Sequence, residues 1–181
     1  EIDFPAGPSE IGIIADMTAD PSYIAADVIA QAEHDPHSAS VLVTTDAGLA
    51  GRVGEEIARM VASSPRREII EEALPQSGYV IASSRNEAVR MMNEIAPEHL
   101  SLQVADPMAL LNEVGHAGSI FVGPWTPVAC GDYASGTNHV LPTAGYARVH
   151  SGLDVHHFCT RSQVQILTEE GLAAIGDVVE G

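Results

Sequence analysis

Gln31 and His34 could bind a metal ion or hydrogen-bond a neighbouring loop. They are three residues apart, and on a helix that spacing places two side chains on the same face. His is the commonest metal ligand in proteins, whereas Gln is a poor one. The spacing alone favours a polar helix end over a metal site and leaves both open.

Glu98 and His99 place two proton acceptors side by side. Their reference pKa values, about 4.3 and about 6.5, suit general acid–base chemistry near neutral pH. Neighbouring residues on an extended chain point to opposite sides, so one site can use both side chains only where the backbone bends. A helix end followed by a solvated carboxylate explains the pair equally well.

Residues 123–152 form a stretch rich in Gly, Pro, Thr and His that has no helical period. About 30 residues is too long for an idle connection in a compact domain, and long ordered loops usually carry function. Asp132 in this loop could ligate a metal or orient a histidine, and His139 adds an imidazole. The same residue types also form ordinary turns, so the length of the loop is what favours a functional role.

Short apolar strands and helices alternate along the chain and must position these residues. The sequence predicts strands at residues 11–15, 41–44, 79–82, 100–104, 120–122 and 164–167. Helices are predicted between them, with N-caps at Asp20, Ser84, Asp106 and Thr168. The early strands are continuous apolar runs, which is typical of a parallel sheet covered by helices on both faces. Ligands of such sheets bind beyond the carboxyl ends of the strands, and we expect the site there.

The length of 181 residues suits one domain with an appendage. We expect an α/β domain at residues 1–152, which includes the loop 123–152, and a strand–helix segment at residues 153–181. The sequence contains no nucleotide-binding motif of the P-loop or G-x-G-x-x-G type. Local motifs in the sequence therefore do not identify a nucleotide cofactor.

The composition excludes several classes of protein. Eight basic residues, all of them Arg, stand against 25 acidic ones and give a net charge of −17, which argues against nucleic-acid binding. No apolar run approaches the ~18 residues that a membrane span requires. Two cysteines without a C-x-x-C pair predict a reduced, cytoplasmic setting.

Four runs of sequence, in order and in spacing, resemble the histidinol dehydrogenase family. They are AGPSE at residues 6–10, QAEHD at 31–35, APEHL at 96–100 and GDYASGTNH at 131–139. The similarity extends over nearly the whole chain. It implies an incomplete Rossmann-like α/β fold and the NAD-dependent oxidation of L-histidinol to L-histidine through L-histidinal, the last steps of histidine biosynthesis.

The resemblance implies a zinc- and substrate-binding site in residues 1–152. Gln31, His34 and Asp132 match ligands of one zinc ion that also contact the substrate, and Ser9 matches a substrate contact. The zinc of this family positions the imidazole and amine of the substrate and has no redox part.

The resemblance also assigns the catalytic pair to Glu98 and His99. His99, a substrate contact as well, would take the alcohol proton as hydride leaves for NAD. Glu98 would activate the water that attacks the aldehyde carbon. His139 matches a loop histidine with a supporting role.

The family pattern extends beyond both ends of this chain. It implies a nicotinamide-binding segment upstream of Glu1, so no cofactor-binding residue is expected within the chain. It implies a last zinc ligand and a substrate-contacting Glu downstream of Gly181, in a tail that reaches the neighbouring subunit of a homodimer. We therefore expect the 181 residues alone to be inactive.

Two alternatives remain open at the level of sequence. One is an acidic α/β module that binds a metal or ligand without catalysis. The other is a different NAD-dependent aldehyde oxidiser, for which Cys130 is the candidate nucleophile near the loop, without a visible activating base.

Overall fold

Five parallel strands form a single sheet in the computed structural model, which describes residues 7–180 and, of residues 179 and 180, the backbone alone. Residues 1–6 and 181, which belong to the predicted domains, lie outside the described residues. The strands are β1 (Glu10–Ala15), β2 (Ala39–Thr44), β3 (Gly78–Ile81), β4 (His99–Gln103) and β5 (Ser119–Val122). Their order is β3-β2-β1-β4-β5, the order of five strands of a Rossmann fold. The predicted α/β class with a parallel sheet is confirmed.

Helices connect the strands and extend the chain beyond them. They are α1 (Pro21–Ala32), α2 (Ala47–Ser63), α3 (Arg67–Ala73), α4 (Arg85–Ile95), α5 (Pro107–Leu111), α6 (Ala129–Tyr133) and α7 (Glu169–Glu180), with 3-10 turns at Leu74–Gln76, Tyr146–Arg148 and Val155–Phe158. The predicted N-caps form where local chemistry places them: Asp20 accepts from the N–H of Ser22, and Ser84 accepts from the N–H of Glu87. None of the helices within residues 7–180 is long and apolar enough to cross a membrane.

The core lies in two layers, one on each face of the sheet. On one face α1 and α2 pack against β1 and β2 through a cluster that includes Ile13, Ile24 and Leu49. On the other face α4 and α5 cover β4 through a cluster that includes Met92, Leu100 and Leu110. The three central strands β1, β2 and β4 therefore bury both of their faces, which explains their apolar runs, whereas the edge strand β3 is exposed.

Two local predictions are wrong. Residues 164–167 do not form a strand, and in the described chain they lie exposed without regular structure, with Ile166 88% exposed. A strand needs a neighbour to pair its N–H and C=O groups, and local apolar character does not supply one. The loop 123–152 contains the short helix α6, where no helix was predicted.

Gly12 marks the closest approach between β1 and α4. A Cβ atom at this position would overlap the sulfur of Met92 and lie 2.9 Å from Cγ of Pro97. Because α4 leads directly into the segment before β4, this contact sets the height of that segment above the sheet.

We expect Gly12→Ala to lower the free energy of unfolding by about 1–3 kcal/mol, because the added methyl group overpacks the contact with Met92. Denaturant unfolding measures the change. Gly51→Ala is the matched control, since Gly51 lies within α2 with nothing within 4 Å of its Cβ position, and it should stabilise the fold by up to about 1 kcal/mol. Equal effects of the two substitutions would contradict this packing.

Candidate catalytic and metal-binding site

The candidate site residues gather at the amino-terminal edge of the sheet. Ser9 immediately precedes β1, and His99 is the first residue of β4, paired with Ile11. Helix α1 runs back antiparallel to the strands, so its last turn, with Gln31, returns to the same edge. The expectation of a site beyond the carboxyl ends of the strands is therefore wrong for these residues.

Gln31, His34 and Asp132 line one cavity of about 40 Å³ between the end of α1 and α6. The Nε2 atom of His34 lies 3.6 Å from Oδ2 of Asp132. Gln31 is 2% exposed, and its amide Nε2 is buried without a hydrogen-bond partner among the described residues. Folding therefore brings together three side chains that are separated by up to 101 positions in the sequence.

These three side chains fit a metal ion with nitrogen and oxygen ligands. Two donors on one tetrahedral zinc ion, each bound at about 2.0–2.2 Å, lie about 3.4 Å apart, close to the 3.6 Å between His34 and Asp132. Gln31 would bind the metal through its carbonyl oxygen Oε1, because its Nε2 group is a hydrogen-bond donor and offers a cation no lone pair. Within residues 7–180 no three His, Cys, Asp or Glu side chains are grouped to hold a metal, so a centre here depends on Gln31 as the third donor.

Glu98 and His99 turn their side chains toward each other despite being neighbours. The Oε2 atom of Glu98 lies 3.6 Å from Nδ1 of His99. Ala96, in the left-handed conformation with φ of 52°, ends α4, and Glu98 lies before the regular strand begins. The structure thus contains the bend that a shared site requires.

Hydrogen bonds hold the Glu98 carboxylate in place from β1. Its Oε2 accepts from the backbone N–H of Glu10 at 3.1 Å, and the Ser9 side chain also hydrogen-bonds to it. Glu98 is 5% and His99 6% exposed. The predicted residue Ser9 therefore belongs to the same constellation as the acid–base pair.

Burial shifts the pKa values of the pair in opposite directions. Loss of water raises the pKa of Glu98 to about 7, and the charges of Glu10 and Asp132 add to that rise. Loss of water lowers the pKa of His99, while Asp132 and a backbone hydrogen bond with Glu10 oppose the change. His99 is held as a neutral base, and Glu98 can exchange a proton near neutral pH.

His139 is not brought to this constellation. It is exposed in the loop, and among the described residues no hydrogen bond or ion pair joins it to Gln31, His34 or Asp132. Its supporting role therefore stays a prediction.

Sequence reasoning missed Glu10 and Phe121. The Oε1 atom of Glu10 accepts from the N–H of Ala144 at 3.0 Å and ties the end of the long loop to β1. The ring of Phe121 lies against that of His99, with centroids 5.9 Å apart, and a Cβ on Gly131 would lie 2.8 Å from it. Glu10 is adjacent in sequence to the predicted Ser9, and that proximity could have identified it as a site residue. Phe121 lies in an apolar strand, and nothing in the sequence distinguishes it from a core residue.

Comparisons with known proteins agree on one family. The family model for histidinol dehydrogenase matches residues 1–181. The histidinol dehydrogenase of Methanosarcina mazei is 49% identical over 179 residues, covering 99% of this chain and 41% of the relative. That of Halobacterium salinarum is 49% identical over 181 residues, covering 99% of this chain and 43% of the relative.

The similarity extends to three dimensions. The crystal structure of histidinol dehydrogenase from Elizabethkingia anophelis has a TM-score of 0.93 and 39% sequence identity, and the match covers 98% of this chain and 41% of that one. The chain thus spans 41% to 43% of the length of these proteins.

We expect Glu98→Gln to stabilise the fold at pH 8, by about 3 kcal/mol relative to the unmodified chain. The raised pKa, about 7 against 4.5, means that ionised Glu98 destabilises the folded state, increasingly as pH rises from 4.5 to 7. The gain should vanish below pH 4.5, where the carboxyl is protonated in both states.

Denaturant unfolding at pH 4 and pH 8 measures this dependence. Glu55→Gln, at an exposed position inside α2, is the control and should change neither value. A gain from Glu98→Gln that is equal at the two pH values would show that the buried charge is not its source.

Proposed function

Because the chain belongs to the histidinol dehydrogenase family, we propose that it forms the catalytic part of an enzyme that oxidises L-histidinol to L-histidine through L-histidinal. Two molecules of NAD would each accept one hydride. The proposal is carried by one observation: the cavity of Gln31, His34 and Asp132 opens at the same sheet edge as the buried pair Glu98–His99. In this proposal residues 1–152 bind zinc and substrate, and residues 153–181 lead toward a further tail.

Gln31, His34 and Asp132 would hold the zinc ion. When bound, zinc supplies a positively charged centre that orients the imidazole and amine of histidinol and takes no part in redox chemistry. The hydroxyl of Ser9, which lies just before β1, would hydrogen-bond to the substrate. The donor types and the 3.6 Å separation of His34 and Asp132 support this assignment.

His99 would act as the base in the first oxidation. The alcohol O–H gives its proton to the imidazole while the carbon gives a hydride to NAD, which leaves the aldehyde. Burial keeps the imidazole neutral and therefore able to accept that proton. The ring of Phe121 beside it restricts the orientation of the imidazole.

Glu98 would prepare the second oxidation. Its carboxylate takes a proton from water as the water oxygen attacks the aldehyde carbon, and protonated His99 gives its proton to the former carbonyl oxygen, which yields the hydrate and a neutral imidazole. The hydrate then gives a hydride to a second NAD and a proton to His99, which yields the carboxylic acid. A pKa of about 7 makes Glu98 a stronger base than an ordinary carboxylate.

The homodimer and the cytoplasmic location stay predictions. The homodimer rests on the family resemblance alone, whereas the free cysteines Cys130 and Cys159 are consistent with a cytoplasmic location.

We expect His99→Asn to lower kcat by about 10²–10⁴-fold, because the base for alcohol oxidation is lost. The measurement is NADH formation from L-histidinol and NAD by the chain expressed together with the flanking sequence of its gene. Zinc content should be unchanged, since His99 is not a proposed ligand. His37→Asn, at an exposed position, should leave kcat unchanged.

A catalytically silent binding module gives a different result. It would retain zinc and form no NADH even with His99 in place, and that outcome would rule out the proposed enzyme.

The 181 residues alone are expected to bind Zn²⁺ weakly and to form no NADH. Three protein donors leave the coordination of zinc open, and the nicotinamide-binding segment is predicted to lie upstream. Absorbance at the NADH band, with L-histidinol and NAD added to the purified chain, tests this. Steady NADH formation would refute the prediction.

A further inference from the structure

Three buried polar side chains that the proposed reaction does not use lie beneath the site. Asp27 of α1 is 4% exposed, Ser101 of β4 is fully buried, and Gln103 of β4 is 3% exposed. Well-packed apolar residues of similar volume can often take the place of buried charged groups without loss of stability. Their presence here calls for an explanation.

Asp27 joins the other two through hydrogen bonds. Its Oδ1 accepts from the backbone N–H of Val128 at 3.0 Å, and its Oδ2 accepts from the hydroxyl of Ser101 at 3.3 Å. The amide of Gln103 in turn donates to the Ser101 hydroxyl at 3.0 Å. One carboxylate therefore connects α1, β4 and the chain at the start of α6.

These are the three elements that carry the candidate site. Asp27 precedes Gln31 on α1 by four residues, about one helical turn. Val128 precedes Asp132 by four residues as well. The hydrogen bond between Asp27 and Val128 therefore joins the two segments one turn before Gln31 and one turn before Asp132.

The bond to β4 follows the same pattern. Ser101 lies two residues after His99 on β4, so both side chains project from the same face of the strand. A hydrogen bond at Ser101 therefore fixes the distance of α1 from the strand position that carries the catalytic imidazole.

Helix α6 is too short to hold its position by its own backbone hydrogen bonds. It contains five residues, and no side chain caps its N-terminus. It meets the sheet through apolar contacts: Val128, 4% exposed, packs in the core cluster that contains Phe121, and Gly131 lies against the ring of Phe121. These contacts are not directional, so the rotation of the helix needs a further restraint. The N–H of Val128 bonded to Asp27 supplies that restraint.

Burial also raises the pKa of Asp27 to about 6. The carboxylate is therefore held out of water at a cost in stability, which an apolar residue would avoid. That cost is consistent with a role in geometry and adds to the case made by the contacts.

We propose that Asp27 is a positioning residue, whose bonds to Val128 and Ser101 hold Asp132 at coordinating distance from Gln31 and His34. The inference rests on the proposed zinc site and adds a residue outside it.

The test compares Asp27→Leu, Asp27→Asn and Val43→Ala in the chain expressed with the flanking sequence of its gene. Leu removes both acceptors at similar volume, whereas Asn keeps an acceptor for Val128 and gains a donor for Ser101. Val43 lies fully buried in the core on the opposite face of the sheet, so its truncation controls for general destabilisation. The readouts are the Kd for Zn²⁺, by competition with a chromophoric chelator, and amide hydrogen exchange at residues 128–133.

Asp27→Leu is expected to raise the Kd for Zn²⁺ more than tenfold and to speed exchange at residues 128–133 to a similar degree. Asp27→Asn should stay within threefold of the unmodified chain, and Val43→Ala should lower Tm without changing the Kd. A folded Asp27→Leu with unchanged Kd and exchange would overturn the proposal. So would a Val43→Ala variant that weakens Zn²⁺ binding as much as Asp27→Leu does.

Ser101→Ala covers the case in which Asp27→Leu does not fold. It removes the bond to β4 and leaves the carboxylate, and it should raise the Kd several-fold; an unchanged Kd and unchanged exchange would overturn the proposal. Failure of the zinc site itself is distinguishable, since the unmodified chain would then bind no Zn²⁺. In that case exchange at residues 128–133 decides alone, faster exchange in the variants supporting the positioning role and unchanged exchange overturning it.

Discussion

The exclusion of water from two carboxylates, those of Glu98 and Asp27, is the constraint on which both the chemistry and the architecture depend. Burial makes each carboxylate a stronger base and raises its pKa, to about 7 in Glu98 and about 6 in Asp27. The first shift produces a group that exchanges protons near neutral pH. The second shift belongs to Asp27, whose carboxylate hydrogen-bonds α1 to β4 and to the chain at the start of α6. In both cases backbone N–H groups, from Glu10 and Val128, partly offset the cost of burial.

A Rossmann-like strand order does not decide where a site lies. Nucleotides bind such sheets at the carboxyl ends of the strands, where helix N-termini point toward a phosphate. Here the candidate residues occupy the opposite edge, where α1 ends and β1 and β4 begin. Helix C-termini at that edge present carbonyl groups and a partial negative charge, which suits a cation better than an anion. The placement agrees with a metal ion and an amine as ligands.

The long loop acts by returning to the sheet rather than by spanning an opening. It leaves β5 at the carboxyl edge, forms α6 against Phe121, and later meets Glu10 through Ala144. Asp132 reaches His34 only because this path crosses from one edge of the sheet to the other. Length made the loop a functional candidate, and its contacts with Phe121, His34 and Glu10 bring Asp132 to the candidate site.

Local pattern sufficed for the parts of this protein that local energies decide. Apolar runs located the five strands, and side-chain oxygens at Asp20 and Ser84 marked where helices begin, because burial of a strand and capping of a helix act within a few residues. Motif similarity then pointed to the candidate site residues. The packed structure alone decided which sheet edge they occupy, that Asp132 meets His34, and that the segment 164–167 pairs with no strand among residues 7–180. Those outcomes depend on contacts between distant parts of the chain and on loss of water, neither of which a short stretch of sequence encodes.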